Sequence, residues 1–239
     1  GETYRLSANL AGWDQLKAKA DELSIAPAMV LLTVFAEVLW AWSDHKPFTL
    51  VIPCWERPLL HPDIHRVVGD FTAMSWLVVN GSAESFRQKT IWNHAQLQAD
   101  LAHGVSSGLR VLRKLAMRSG NRGRFIFPIV FTNLSTQPPL QLPEGIRFGK
   151  SLSQTPHVHL DNMSSELGND LGIYWDVAEG VFPVGMIEEM FEDYHRFLTS
   201  LVAEHSWWDA IDFSSLIRDG RGKYLTLPLV EDSNFAGSL

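Results

Sequence analysis

The residues best equipped for chemistry lie in two stretches, Ser153-Gln-Thr-Pro-His-Val-His-Leu-Asp161 and Phe127-Pro-Ile-Val-Phe-Thr-Asn133. Both are short, rich in β-branched and aromatic residues and bounded by Gly, Pro or Ser, which is the composition of buried strands. Period-2 alternation places His157, His159 and Asp161 on one face of the first, with Val158 and Leu160 on the other. An apolar face backed by proton-transfer groups suits acid–base chemistry. The second stretch ends at Thr132-Asn133, a hydroxyl and an amide emerging together from an apolar strand. If the two strands are neighbours, their polar ends share a cleft. Two other readings fit the same residues. Three ligands on one strand face can hold zinc or iron, and Asp161 can simply cap a turn over Asn162–Ser165.

The elements that must position these residues follow from pattern. Residues 1–10 alternate (Tyr4, Leu6, Ala8, Leu10) as a strand, and Gly12 precedes a helical pattern in Trp13, Leu16, Ala20 and Leu23. Ser24 is the expected N-cap of the next helix, with Pro27 in its first turn and its end near Ser43. That helix is apolar almost all round and is therefore expected to be buried on most sides. Residues 48–54 read as a strand whose pairing Pro53 ends. After a proline-rich loop, the later part of Val67–Val79 reads as a central strand, with a turn or close backbone approach at Gly69-Asp70. Helices are expected over 83–103 and, with a basic face of Arg110, Arg113, Lys114 and Arg118, over 108–118. The basic face is either solvated or a docking patch for an acidic partner. Strands follow over Arg124–Thr132, Ile146–Phe148 and Ser153–Asp161, the last with Leu171–Val177 as its hairpin partner beyond a polar turn. Met186–Ser206 carries Ile187, Met190, Phe191, Tyr194, Phe197, Leu198 and Leu201 at helical spacing. Strands separated by helices, then an antiparallel pair, predict an α/β sandwich with a mixed sheet.

Composition narrows the function. The chain has 239 residues, 46% of them hydrophobic, enough for a real core, and no internal repeat. A net charge of −7 with acids and bases interspersed argues against nucleic acid as a principal ligand. One cysteine, Cys54, excludes an internal disulfide framework and fits a reducing, cytoplasmic setting. The longest apolar stretch, Ala26 to Trp42, contains Thr33 and Glu37 and reads as a buried helix, not a membrane span.

Taken in order, five blocks of the chain resemble the C-terminal lobe of a heterocyclisation domain of nonribosomal peptide synthetases, a branch of the condensation-domain superfamily. Ala28–Ser43 is similar to the family's buried helix ending in Trp-Ser, and Gly69-Asp-Phe-Thr72 matches its Gly-Asp-Phe-Thr signature. Pro128-Ile-Val-Phe-Thr132 is close to its Pro-Val-Val-Phe-Thr, and Ser153-Gln-Thr-Pro156 with Val158 and Asp161 fits its Ser-Gln-Thr-Pro-Gln-Val-x-Leu-Asp. Trp175-Asp176 fits the later Trp-Asp. The resemblance covers roughly residues 10–205. It implies a chloramphenicol-acetyltransferase-like α/β lobe over residues 1–215, a mixed sheet flanked by helices, and an exit linker over 216–239.

The resemblance also implies an activity: a carrier-bound acyl group joins a carrier-bound cysteine, serine or threonine, whose side chain then attacks the new amide to give a thiazoline or oxazoline. Asp161 is implied as the proton-transfer group of that cyclodehydration and Thr132 as its hydrogen-bonding partner. Ser153, Gln154, Asn133, His157 and His159 are implied on the substrate side, and Asp70, Thr72, Trp175 and Asp176 as structural motif residues. No metal or directly bound cofactor is implied, the substrates riding on the phosphopantetheine of carrier domains. The implied partners are the N-terminal lobe of the same domain, upstream and downstream peptidyl carrier domains and an adenylation domain after the linker, in settings that include siderophore assembly. The family's paired aspartates, Asp-x-x-x-x-Asp, do not occur here, nor does His-His-x-x-x-Asp-Gly, and both belong to the other lobe. His157-x-x-x-Asp161 therefore echoes the acyltransferase spacing by coincidence. The chain departs from the family at Met163, His157, Asn133 and Glu56, where Gln, Gln, Ser and Asn are usual. These departures raise the alternative of a non-catalytic lobe that only docks carrier domains or closes an interface.

Overall fold

The computed structural model describes residues 2–43, 45–55, 57, 61–102, 114, 117, 127–134, 155, 157–167 and 170–218. The basic helix expected over 108–118, the strand Ile146–Phe148, and Ser153, Gln154 and Glu56 lie mostly or wholly outside them.

Strand β1 (Thr3–Leu10) turns Tyr4, Leu6, Ala8 and Leu10 to the core, as its alternation predicts. Gly12 then opens helix α1 (Trp13–Glu22) at φ 78°, where a Cβ would also lie 2.6 Å from the Val202 side chain, so glycine is required twice over. Helix α2 (Pro27–Trp42) has Pro27 in its first turn and eleven buried residues, the all-round burial that its composition predicts. Its N-cap is Ala26, not Ser24. Ser24 sits at φ 56° in the turn after α1, where its N–H donates to the Asp21 carbonyl and its hydroxyl is not spent on α2.

Strand β2 (Phe48–Trp55) pairs antiparallel with β3 (Thr72–Val79) along its whole length, Pro53 opposite Met74. Pro53 thus does not end that pairing. Toward the other neighbour, β4 (Ile129–Asn133), the register is Val51 opposite Val130. β5 (Leu160–Leu167) and β6 (Asp170–Ala178) form the expected hairpin. Helices α3 (Phe86–Ala102) and α4 (Met186–Ala203) complete the layer. The sheet order is β1-β6-β5-β4-β2-β3, with β4 parallel to both β2 and β5 and the other pairs antiparallel. β3 is therefore an edge strand, not a central one, and Met74 and Val78 on it are about half exposed.

These four helices pack on one face. Trp13 and Leu16 of α1, most of α2, Phe86 and Leu97 of α3 and seven apolar residues of α4 share one core with Leu50, Leu77, Phe131, Leu160, Ile173, Trp175 and Val177 of the sheet. Trp175 is its centre: its ring meets Phe35 and Phe191 edge-on at 5.4 and 5.3 Å, and its indole N–H donates to Asn162 Oδ1 at 2.8 Å. Leu216 and Ile217, assigned above to the linker, are buried in this core, so the packed unit runs at least to Arg218. The physical reason is an aromatic cluster, Phe86 with Phe197, Trp208 and Phe213, onto which the segment after α4 folds. Among the described residues no single helix is long and apolar enough to cross a membrane.

Candidate active site

Paired strands turn register partners to the same face, so the sheet's second face can be read directly. It carries Val51, Val130, Thr132, Asp161, Met163, Tyr174, Asp176, Arg5 and Ser7. Asp161 on β5 stands opposite Val130 on β4 and opposite Asp176 on β6. Thr132, two residues along β4 on the same face, donates its hydroxyl to Asp161 Oδ1 at 2.9 Å. Asp176 stands in turn opposite Arg5 on β1, whose Nε and Nη2 donate to its two oxygens at 2.6 and 2.7 Å. One row of side chains, Thr132–Asp161–Asp176–Arg5, therefore crosses four strands.

Burial pushes the Asp161 carboxyl up to about 6, the Thr132 hydrogen bond opposes the rise, the negative Asp176 adds to it and Arg5 counters it. A carboxyl that titrates there can both give and take a proton near neutrality. The same shift has a cost in stability. The folded state binds the Asp161 proton more tightly than the unfolded chain, so this contribution falls as pH rises from about 4 through about 6. At 1.36 kcal/mol per unit, reduced for partial solvent screening, the penalty above that window is about 2 kcal/mol. Asp161→Asn is expected to match wild type in urea unfolding below pH ~4 and to be about 2 kcal/mol more stable at pH ~7. Equal stability at both pH values would show that the carboxyl is not destabilised by its site.

The structure corrects the strand expected over Ser153–Asp161. β5 begins at Leu160. Before it, Val158 N–H donates to the Thr155 carbonyl at 3.1 Å in a turn, and His157 lies at φ 67°, exposed. The single face that was to align His157, His159 and Asp161 is not formed, which removes the basis of the metal reading. His159 is half-buried and joins the sheet through its backbone, its N–H bonded to the Pro128 carbonyl and its carbonyl to the Ala178 N–H. The stretch Asn162–Ser165, which also fitted a turn, is β5 itself. Its even-numbered residues face the helices and are satisfied there: Asn162 by Trp175, Ser164 by Asn133 Oδ1 at 2.9 Å, and Glu166 by the Trp13 indole at 2.7 Å.

Asn133 is therefore on the opposite face from Thr132 and Asp161, since consecutive strand residues point opposite ways. Its difference from the family's serine falls on the helix side of the sheet, away from the acid. Met163 is the departure that does face the site, opposite both Thr132 and Tyr174. Asp70 accepts the Thr72 N–H at 2.8 Å just before β3; bonds from the Thr72 hydroxyl and amide hold its carboxyl below the usual range. Phe71 of the same motif lies under the Arg57 guanidinium, 3.9 Å from the ring centroid. Arg5 was missed. Its partner is 171 residues away, and only the sheet order brings the two together. A shallow groove lined by Ala8, Phe191, His195 and Thr199 lies on the helix side and contains none of these groups.

No protein-family model matches the chain. It is 38% identical over 204 residues to pyochelin synthetase PchF of Pseudomonas aeruginosa, covering 83% of this chain and 11% of that protein. To phenyloxazoline synthase MbtB of Mycolicibacterium paratuberculosis it is 36% identical over 204 residues, covering 82% of this chain and 17% of that protein. Among solved structures, the cyclisation-docking bidomain of the EpoB synthetase from Sorangium cellulosum superimposes with a TM-score of 0.76 at 32% identity, over 87% of this chain and 43% of that one. The chain is homologous to heterocyclisation and condensation-type domains of nonribosomal peptide synthetases. The first condensation domain of the CDA synthetase, at 16% identity and TM-score 0.65, shares the fold. The helix-backed mixed sheet is thus the chloramphenicol-acetyltransferase-like lobe expected of this family. The chain spans 11% and 17% of the length of the two curated relatives named here.

Proposed function

We propose that this chain is the C-terminal lobe of a heterocyclisation domain and supplies the cyclodehydration residues. The observation that carries the reading is the 2.9 Å hydrogen bond from Thr132 to a partly buried Asp161 whose carboxyl is raised to about 6. Ring closure begins when the side-chain thiol or hydroxyl of the newly joined residue attacks the preceding amide carbonyl carbon, its own proton passing to the carbonyl oxygen. The tetrahedral centre then loses its oxygen as water, and its nitrogen loses the N–H proton as the C=N bond forms. Protonated Asp161 gives a proton to the departing oxygen and recovers one from the nitrogen, so the carboxyl ends as it began. Thr132 orients it.

The partner that completes the cleft is the N-terminal lobe. The acid-bearing sheet face carries no described helix, and Trp55 and Val78 on it are 61% and 50% exposed. Upstream and downstream carrier domains deliver the substrates on phosphopantetheine, and an adenylation domain is the expected neighbour. The name of one relative, phenyloxazoline synthase, supports a phenyl-bearing acyl donor joined to a residue that closes an oxazoline ring.

Thr132→Val tests the pairing without touching the acid. In the full-length protein, ring closure is expected to slow by about tenfold, the loss of one hydrogen bond to a charged or transferring group. Amide formation is expected to continue at its native rate, and Thr132→Ser to restore most of the loss. Equal ring-closure rates for all three proteins would remove Thr132 from the mechanism.

A further inference from the structure

Like charges placed directly opposite each other on neighbouring strands repel, and sheets ordinarily avoid them. Here Asp161 and Asp176 are register partners on one face. Asp176 is almost wholly buried, its side chain only 3% exposed, and both its oxygens are held by Arg5. Arg5 is itself confined, its guanidinium 5.3 Å from the centre of the Tyr174 ring. A bidentate pair of this kind fixes geometry as well as charge. The register of β1 with β6 runs unbroken from Thr3–Ala178 to Leu10–Leu171, so the pair sits within a continuous ladder.

We propose that Arg5 and Asp176 are positioning residues of the site: their ion pair holds a fixed negative charge against Asp161 and sets the pH range over which Asp161 retains its proton. The inference rests on Asp161 being the ring-closing acid. Among the described residues, the groups facing Asp161 are Thr132 from β4, Asp176 from β6 and, beyond it, Arg5 from β1. Of these only Asp176 and Arg5 carry charge, and they act on Asp161 in opposite directions. That opposition makes the proposal testable by sign. Removing Asp176's charge leaves Asp161 with no anionic neighbour among the described residues and frees Arg5 to pair with it. Removing Arg5 leaves two carboxyls side by side, which then share a proton.

The experiment is the pH profile of single-turnover ring closure by the full-length protein, given an uncyclised amide already loaded on its carrier. Asp176→Asn is expected to lower the titration midpoint by about one pH unit, and Arg5→Met to raise it by about one unit. Arg5→Lys, which keeps the charge, is expected to stay within a few tenths of a unit of wild type. Opposite shifts support the proposal. Midpoints unchanged in Asp176→Asn and Arg5→Met, with rates lowered uniformly across pH, overturn it and leave the pair as a strand clasp. Should Arg5→Met not fold, the downward shift of Asp176→Asn alone decides. Asp161→Ala is run beside them: undiminished ring closure by that variant removes the underlying acid assignment, a result distinct from unshifted midpoints.

Discussion

Asp161→Ala in the full-length protein is expected to leave amide formation intact and to slow ring closure by about 10²–10⁴-fold, the usual contribution of a positioned acid–base group. The expected product on the carrier is the open amide, heavier than the ring by one water. Two features lead to this separation of stages. The carboxyl sits on the face of the sheet that carries no described helix, and among the described residues its side-chain hydrogen bond is to Thr132. Its raised titration, to about 6, equips it for the step in which an oxygen must leave as water and a nitrogen must lose a proton. Asp161→Asn sharpens the test. The amide oxygen still accepts from Thr132, so the strand ends stay joined, yet the group has no proton to exchange. Asn and Ala are expected to fail alike in ring closure, whereas a structural role would let Asn recover most of the loss.

The second large effect is on stability. Asp193 on α4 is fully buried and accepts from four directions: the Trp42 indole at 3.2 Å, Arg196 Nη1 at 2.9 Å, and both the backbone N–H and Nε of Arg218 at 2.9 Å. It thereby ties α2, α4 and the returning segment through Arg218 into one block. Removing it takes one bond each from the indole and the two guanidiniums, which keep the Leu216 carbonyl and Glu192 as partners, and leaves the Arg218 backbone N–H without this acceptor, at a cost of about 3 kcal/mol. Asp193→Ala is expected to lower the urea midpoint accordingly with the slope unchanged. Asp193→Asn, which keeps an acceptor, is expected to lose about half as much. Near-native stability of the alanine variant would show that the segment through Arg218 is held by its apolar residues alone.

What could be read from the sequence divides along physical lines. Helices declared themselves through periodicity: Trp13, Leu16 and Ala20 on α1 and Ile187 through Leu201 on α4 are buried as their spacing predicts. The neighbouring of the Thr132 and Asp161 strands was only a condition of the shared cleft in the sequence, and the structure meets it, the two lying side by side in parallel. The start of β5 was not. Asn162, Ser164 and Glu166 look like loop residues, and only the indoles and amide waiting across the core make them tolerable in a strand. The turn at His157 had a signal in Thr155-Pro156, a dipeptide that opens turns, which the β-branched residues around it outweighed. Asp176 stood out in its Trp-Asp motif, but its pairing with Arg5 was beyond reach, since Arg5 is unremarkable in β1 and the pair exists only through the order β1-β6-β5. Asp193 lies within the buried stripe of α4, one turn from Met190 and Phe197. The amphipathic pattern thus marked its position, though its residue type pointed to solvent.

The most direct test of the account bypasses amide formation altogether. An uncyclised acyl-cysteinyl, acyl-seryl or acyl-threonyl amide is loaded on the carrier of the full-length protein, and loss of one water is followed by mass over time in wild type and Asp161→Ala. The account predicts that wild type converts the open amide to the ring while the variant leaves it open over the same period. Conversion at equal rates in the two proteins would contradict it, and would reduce the row from Thr132 to Arg5 to a feature of the fold.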